Sequence, residues 1–221
     1  MAYFLVFLGS ARDSTPPAPA RLGLRVALAC RPLLEVNQAT VELIDPLDFN
    51  LGTTFKPHFA FGKASVPQEL ATLAEKIERA DGYVMVSPEY NHSMSPALSH
   101  LLNHFGSSLF SFKPSAIVTY SAGQWGGVRA AVSMRTFLSE LGCLPVSAMI
   151  HVPKAQEVLQ ADGRFVDGVD ADAWSGYFGR TLSQLTWWSE AAARQREALD
   201  PNQASPAFQR APDQRNAPGG G

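Results

Sequence analysis

The stretch that decides the fold of this 221-residue chain is residues 82–98, Gly-Tyr-Val-Met-Val-Ser-Pro-Glu-Tyr-Asn-His-Ser-Met-Ser-Pro-Ala-Leu. Residues 83–86 form a continuous apolar run, which is typical of a strand in a parallel sheet that is covered on both faces. A rigid Pro-Glu-Tyr-Asn turn at 88–91 follows, and Ser95 and Pro96 then supply the N-cap and the first position of a helix. The turn therefore lies at the carboxyl end of a strand, where open α/β sheets bind their ligands.

Further apolar runs predict strands that alternate with helices along the whole chain. The predicted strands are residues 3–8, 40–44, 83–86, 115–120 and 144–150. Apolar residues at helical spacing predict helices at 21–36, 67–80, 96–105, 127–141 and 172–199. Five strands that alternate with five helices indicate a doubly wound α/β fold, although periodicity alone does not determine the order of the strands.

Composition excludes several classes of function. Hydrophobic residues make up 46% of the chain and charged residues 17%, which is typical of a globular domain. The net charge of −2 provides no basic footprint for nucleic acid, and no apolar run reaches the roughly 18 residues of a membrane helix. The only cysteines, Cys30 and Cys143, fit neither a metal spacing nor a disulfide framework. We therefore expect a cytoplasmic protein with two buried free thiols, without a metal, a nucleic-acid partner or a membrane partner.

The chain divides into one predicted domain, residues 1–199, and a C-terminal tail, residues 200–221. The tail consists mostly of Pro, Gly, Gln, Asn and Ala, cannot bury a core, and is predicted to be disordered. Inside the domain, the long connection at 49–66 is expected to border the ligand pocket, since long loops in compact domains are often functional. On the last predicted helix, the usual behaviour of aromatic side chains predicts that Trp187 and Trp188 pack in the core.

A loop rich in hydroxyl groups follows the first predicted strand and reads Gly-Ser-Ala-Arg-Asp-Ser-Thr at residues 9–15. Ser10, Arg12, Ser14 and Thr15 precede a helix N-terminus, and such a set of donors suits a phosphate group. Neither the dinucleotide-binding glycine fingerprint nor the nucleotide-binding P-loop pattern is present. A solvated turn that carries an incidental arginine is the alternative interpretation of these residues taken alone.

A second polar loop, Tyr-Ser-Ala-Gly-Gln-Trp-Gly-Gly-Val-Arg at residues 120–129, follows the fourth predicted strand. Its glycines allow a close backbone approach to a ligand, and the next helix points its N-terminus at the same edge of the sheet. Ser121 also leaves open a serine hydrolase. That reading is weakened by Thr119, which stands where a nucleophile elbow has glycine.

These loops together resemble the NADPH-dependent FMN reductase family of flavodoxin-like quinone, azo and flavin reductases. The resemblance rests on Gly-Ser-x-Arg after the first strand, Pro-Glu-Tyr-Asn after the third and Ser-x-Gly-x-x-Gly-Gly-x-Arg after the fourth, in register over about residues 3–150. It implies an α/β flavodoxin-like three-layer sandwich, with a five-stranded parallel sheet of order 2-1-3-4-5 and helices on both faces.

The resemblance also implies which residues bind FMN. The phosphate group is expected at Ser10 and Arg12, with Ser14 and Thr15 as weaker assignments. The flavin ring is expected against Pro88, Glu89, Tyr90 and Asn91 on one loop and against Ser121, Gly123, Gly126 and Gly127 on the other. Glu89 has a structural alternative, because a carboxylate that faces a reduced flavin would oppose reduction. No catalytic side chain is expected, since the cofactor carries the chemistry.

The function that the resemblance implies is transfer of hydride from NADPH or NADH, through bound FMN, to a quinone, azo compound, flavin or similar small acceptor. A homodimer through the helix at 96–105, which carries an apolar stripe, is expected, or else a tetramer. A flavodoxin-like carrier or a non-catalytic FMN-binding protein is the alternative within the fold. Arg12 and the small net charge disfavour the carrier.

Overall fold

The computed structural model describes residues 1–14, 20–36, 38–52 and 54–201. Thr15, one of the residues expected at the phosphate, lies outside these ranges. Residues 202–221 of the predicted tail also lie outside them.

Seven α-helices, three single-turn 3-10 helices and six strands make up the described part of the chain. The strands are β1 (Tyr3–Leu8), β2 (Thr40–Ile44), β3 (Gly82–Pro88), β4 (Pro114–Tyr120), β5 (Leu144–Pro145) and β6 (Ile150–Val152). The helices are α1 (Leu22–Glu35), α2 (Gln68–Arg79), α3 (Pro96–Asn103), α4 (Ser107–Phe110), α5 (Val128–Leu141), α6 (Ala155–Val158) and α7 (Ala171–Ala198). The five long helices match the five predicted ones to within two residues, and the additional α-helices, α4 and α6, are single turns.

The strands form one parallel sheet in the order β2-β1-β3-β4, with β5 and β6 both paired to the outer side of β4. Helices cover both faces, so the predicted flavodoxin-like order and three-layer architecture are confirmed. Successive side chains of β1 alternate between the two faces. Phe4, Val6 and Leu8 pack in the core that contains α1 and α7, whereas Leu5 and Phe7 pack in the core that contains α2, α3 and α5.

The fifth strand, predicted as one run over 144–150, is broken into β5 and β6. The guanidinium of Arg135 on α5 donates hydrogen bonds to the carbonyl oxygens of Val146 and Ser147, each at 3.1 Å. The backbone N–H of Ala148 donates to Oε1 of Gln184 on α7 at 3.2 Å. The N–H of Val146 still donates to the carbonyl oxygen of Ser115 on β4 at 2.9 Å, and after it backbone groups at 146–148 bind side chains of the flanking helices.

Helix α3 starts as predicted, with Oγ of Ser95 accepting a hydrogen bond from the N–H of Leu98 at 3.1 Å and Pro96 in the first turn. Its apolar side chains are buried in the chain's own core and leave a solvent-facing side that includes His100 and Asn103. The apolar stripe is therefore not available to a second chain, and it no longer supports the predicted dimer.

Two other expectations are corrected. Trp187 and Trp188 are 60% and 43% exposed on the outer side of α7, because the core-facing positions of that helix belong to smaller side chains such as Leu185. The segment after β2 packs against the distal end of α3, where the backbone N–H of His58 donates to the carbonyl oxygen of His104 at 2.7 Å. This part of the 49–66 connection therefore does not border the carboxyl ends of the strands.

The two cysteines, Cys30 and Cys143, are free and buried, as predicted. Burial raises the pKa of each thiol to about 12, so both remain protonated and unreactive at neutral pH. Among the described residues, no helix combines the length and the apolarity that crossing a membrane requires.

Candidate functional site

Three loops meet at the carboxyl edge of the sheet, because β1, β3 and β4 are neighbours. They comprise residues 9–14, 88–95 and 121–127. These are the segments that carry the predicted site residues, so the fold brings together what the sequence places far apart.

The first loop is held against the sheet at its start. The N–H of Gly9 donates to the carbonyl oxygen of Val86 at 2.7 Å, which extends the pairing of β1 with β3 by one residue. The carbonyl oxygen of Ser10 accepts a hydrogen bond from Nη1 of Arg21 at 2.6 Å, and Ser10 is buried. The course of this loop therefore depends on Arg21, which sequence reasoning missed.

Arg21 belongs to a buried ion pair. Its side chain is 7% exposed at the N-cap of α1, and its guanidinium binds both carboxylate oxygens of Asp45, the residue that follows β2. Oδ1 of Asp45 also accepts from the N–H of Leu47 at 3.0 Å. The pair thus links the end of β2, the start of α1 and the loop after β1.

The surroundings of this pair suit a dianionic phosphate. Nε of Arg21 is buried and has no hydrogen-bond partner among the described residues. Helix α1 has no side-chain cap and no acidic residue in its first turn, so its free amides and positive end face the loop. Arg12 is exposed and Ser14 is half-buried on the same loop. An anion at this point would meet the uncapped start of α1 and the exposed guanidinium of Arg12, while Arg21 and Asp45 fix the loop beneath it.

Tyr120 connects the first loop to the other two. Burial raises the pKa of its phenol to about 12, and the nearby Tyr90 acts in the same direction. A hydrogen bond with the side chain of Ser10 and the charges of Arg21 and Arg12 oppose that increase. Residues of the first and second loops therefore lie around one buried hydroxyl group, that of Tyr120.

The second loop is a tight turn. Tyr90 and Ser93 exchange two backbone hydrogen bonds of 3.0 and 2.9 Å, and the residues between them, Asn91 and His92, have φ values of +50° and +63°. Two central residues with positive φ define a type I′ turn, and asparagine tolerates this conformation better than most residues. The turn leaves the side chain of Tyr90 49% exposed at the edge of the site.

The residues that precede this turn are tied to their neighbours. Pro88 ends β3, and its carbonyl oxygen accepts a hydrogen bond from Oγ of Ser87 at 2.8 Å. The Glu89 carboxylate accepts from the backbone N–H groups of Arg129 and Ala130 at 3.1 and 3.3 Å. It also lies 3.5 Å from Nη1 of Arg129. Glu89 therefore caps the N-terminus of α5 and fastens the second loop to the third, which supports its structural alternative.

The third loop is closed by its own serine. Oγ of Ser121 accepts from the N–H of Gly126 at 2.9 Å and donates to the carbonyl oxygen of Gly123 at 2.7 Å. Gly126 and Gly127 have φ values of +61° and +77°, which side chains with a Cβ rarely adopt. A hydrolytic serine must direct its proton to a base, whereas the proton of Ser121 is directed to a carbonyl. The geometry thus opposes the hydrolase reading.

A hydrogen-bonded pair beneath the third loop was not found from the sequence. Oγ1 of Thr119 donates to the carbonyl oxygen of Gly126 at 2.8 Å and lies 2.7 Å from Nδ1 of His151. Because the threonine hydroxyl has one proton, Nδ1 of His151 must be the donor in the second bond. Burial lowers the pKa of His151, which favours its neutral form. His151 lies on β6, within the broken strand, where no motif marks it.

No group of three or more His, Cys, Asp or Glu side chains is arranged to hold a metal ion in the described ranges. The chemistry that this edge of the sheet can support is thus anion binding at the first loop and backbone contact with a flat ligand at the other two.

The chain is similar to a known protein family over most of its length. The model of the family described as NADPH-dependent FMN reductase matches residues 3–157. The chain belongs to this family. Membership implies FMN and NAD(P)H as its cofactors, and the exposed Arg12 and the uncapped start of α1 would suit the phosphate of FMN.

Two curated relatives are similar to part of this FMN reductase family member. A subunit of NADH:(hydroxy)cinnamate reductase from Vibrio ruber is 34% identical over 107 residues, which are 46% of this chain and 53% of the relative. An NAD(P)H-dependent FMN reductase from Pseudomonas aeruginosa is 32% identical over 105 residues, 46% of this chain and 57% of the relative. The chain thus matches little more than half the length of each.

Among solved structures, the flavoenzyme NAD(P)H:(acceptor) oxidoreductase FerB from Paracoccus denitrificans superposes with a TM-score of 0.65. The match covers 87% of this chain and 99% of FerB at 19% identity. At that identity the similarity establishes the fold, which is the flavodoxin-like architecture described above.

Proposed function

We propose that this protein is an FMN-dependent NAD(P)H oxidoreductase that reduces a quinone, an azo compound, a flavin or a similar small acceptor. One observation carries the proposal: the loop after β1, which suits an anion, lies beside the loops after β3 and β4. Hydrogen bonds of Glu89 and Ser121 fix those two loops. Family membership supports the cofactor. The hydroxyl of Ser121 donates to the carbonyl oxygen of Gly123 and not to a base, which disfavours the hydrolase alternative.

For a quinone acceptor the balanced reaction is NAD(P)H + H⁺ + quinone → NAD(P)⁺ + hydroquinone. Bound FMN supplies the capacity to accept hydride from one partner and deliver it to the next. The chain would supply the position of the cofactor. Ser10 and Arg12, on the loop that Arg21 holds in place, would bind the phosphate, and the loops at 88–91 and 121–127 would hold the ring. Ser14 remains a weaker proposal for the phosphate.

An absorbance spectrum of the purified protein, followed by anaerobic addition of NADPH, tests the proposal. We expect a flavin spectrum that bleaches with NADPH and returns when a quinone is added. A carrier or regulator would bind flavin without sustained NADPH oxidation. A colourless protein that hydrolyses esters would instead point to the Ser121 hydrolase.

Arg12→Ala should weaken FMN binding by about 1.5–3 kcal/mol, the contribution of a hydrogen bond to a charged group. Riboflavin lacks the phosphate, so its affinity should change little. Titration of apoprotein with both ligands checks this. Arg31→Ala, which removes an exposed arginine that pairs with Glu35 on α1, is the matched control. Equal losses for FMN and riboflavin would show that Arg12 does not contact the phosphate.

We further propose a cytoplasmic homodimer. The location is supported by the two free buried cysteines and the dimer by family resemblance alone, because the apolar face of α3 is buried inside the chain. Light scattering at micromolar concentration should give twice the mass of one chain. Four times that mass would indicate the tetramer instead, and the mass of one chain would contradict both.

Residues 1–199 are proposed to form the complete FMN-binding domain. A chain that ends at residue 201 should therefore keep the melting temperature, FMN affinity and NADPH oxidation rate of the full chain, since residues 202–221 lack the composition for a core. Thermal denaturation and flavin titration of both chains make the comparison. Loss of bound FMN on truncation would assign a role to the tail.

A further inference from the structure

Trp125 is a large apolar side chain that the third loop holds in solvent. Its side chain is 58% exposed, although the loop that carries it is closed by the hydrogen bonds of Ser121 to Gly123 and Gly126. The carbonyl oxygen of Trp125 also accepts a backbone hydrogen bond from Val128 at 3.3 Å. The ring is therefore presented by a defined loop beside the ring-binding edge.

Arg129 lies over the ring of Trp125. Its guanidinium carbon is 5.3 Å from the ring centroid, within the distance of a cation–π contact, and its side chain is 43% exposed. One side of the guanidinium faces Glu89 at 3.5 Å. Because the Glu89 carboxylate also binds the backbone N–H groups of Arg129 and Ala130, this contact orients the guanidinium but leaves part of it open to a ligand.

The adjoining loop contributes a second exposed aromatic ring. Tyr90 follows Glu89 directly and is 49% exposed at the type I′ turn. The ion pair between Glu89 and Arg129 joins the two loops. Tyr90 and Trp125 therefore lie on connected loops that follow the neighbouring strands β3 and β4. Exposed aromatic rings beside an oriented cation recognise flat molecules that carry negative charge.

We propose that Trp125 and Arg129 form an acceptor platform that selects planar aromatic compounds bearing a carboxylate or sulfonate group. This inference rests on the proposed function, whose acceptors it narrows. The acceptor stacks on the face of Trp125 that Arg129 leaves uncovered, and its anionic substituent pairs with the exposed part of the guanidinium at the edge of the ring. Neutral quinones of the same shape have only the stacking contribution.

The charge preference is tested with Arg129→Gln and two acceptors, 1,4-naphthoquinone-2-sulfonate and 1,4-naphthoquinone. The ratio of their kcat/KM values should fall about tenfold, the size of one partly exposed charge-assisted contact. Arg129→Lys keeps the charge and should restore part of the ratio. Arg194→Gln makes the same change at an exposed site on α7 and should leave the ratio as it is. A ratio within twofold of the parent protein in Arg129→Gln would overturn the proposal.

The stacking contribution is tested with Trp125→Ala. The KM for naphthoquinone should increase about threefold to tenfold, more than the KM for benzoquinone, because a second ring adds stacking area. Trp125→Phe should retain most of the affinity. Trp187→Ala removes an equally exposed tryptophan on α7 and provides the control. An effect of Trp125→Ala no larger than that of Trp187→Ala would contradict the platform.

A binding measurement separates the platform from turnover. Calorimetric titration of the oxidised, FMN-loaded protein with naphthalene-1-sulfonate and with naphthalene-1-methanol uses probes that cannot be reduced. We expect tighter binding of the sulfonate, and Arg129→Gln should remove the difference. Equal affinities in the parent protein would overturn the proposal.

The phosphates of NAD(P)H are a second candidate for the anion that Arg129 binds. Rapid-mixing measurements of flavin reduction by NADPH distinguish it. Slower reduction in Arg129→Gln with an unchanged acceptor ratio would assign the arginine to the donor and overturn the platform. If the protein oxidises no NADPH but binds the sulfonate through Arg129, the platform is supported while the proposed reductase activity fails.

Discussion

Asp45→Ala is expected to lower the free energy of unfolding by about 3–5 kcal/mol, the cost of removing one partner from a buried ion pair. The change leaves the guanidinium of Arg21, whose side chain is 7% exposed, without its counter-charge. It also removes the acceptor for the N–H of Leu47. Urea denaturation of the apoprotein at neutral pH measures the loss.

Two further variants make this result interpretable. Asp48→Ala removes an exposed carboxylate three residues along the chain and should change the free energy of unfolding by no more than about 0.5 kcal/mol. The double variant Arg21→Met with Asp45→Ala should be more stable than Asp45→Ala, because the unpaired charge is removed with its partner. An Asp45→Ala variant as stable as Asp48→Ala would show that the pair does not organise the first loop.

Gly126→Val is expected to weaken FMN binding at least about tenfold and to reduce NADPH oxidation about a hundredfold, the effect of displacing a reacting group by roughly 1 Å. Gly126 has a φ of +61°, and a Cβ there would lie 3.1 Å from the backbone nitrogen of Pro153 and 3.3 Å from Cβ of His151. The loop must shift, and it would lose the hydrogen bonds that join Gly126 to Ser121 and Thr119.

The control for this substitution is Gly168→Val. Gly168 also has a positive φ, +88°, but among the described residues no atom beyond its two chain neighbours lies within 4 Å of the position of its Cβ. It should therefore lose about 1–2 kcal/mol of stability through backbone strain and keep its flavin affinity. Circular dichroism verifies folding, and flavin titration with steady-state kinetics measures the rest. Unchanged affinity and turnover in folded Gly126→Val would mean that the third loop does not line the ring.

Local signals in the sequence predicted the elements of the fold well. The start of α3 is an example: Ser95 and Pro96 act within one helical turn, so their effect depends little on the rest of the chain. Apolar runs located four of the strands to within two residues, since burial on both faces imposes a continuous pattern. The strand order came with the family resemblance, because crossover topology leaves no mark on periodicity.

Periodicity also could not tell what covers an apolar face. The stripe on α3 was predicted to meet a second copy and instead packs inside the chain, whereas Trp187 was predicted to be buried and is exposed. The break of the fifth strand depends on Arg135 and Gln184, which lie on two helices that flank the sheet. Each outcome is set by contacts between elements, which the sequence of one element does not contain.

The same division holds for the candidate site. The sequence by itself determined the chemical character of the three loops, because hydroxyl groups, glycines and a rigid turn act through the residues that carry them. Only the tertiary structure paired Arg21 with Asp45 across 24 positions and Glu89 with the start of α5 across about 40. Each partner alone is an ordinary charged residue. Its role arises when folding brings it next to an opposite charge or a free helix end, where burial and low local polarity strengthen the interaction.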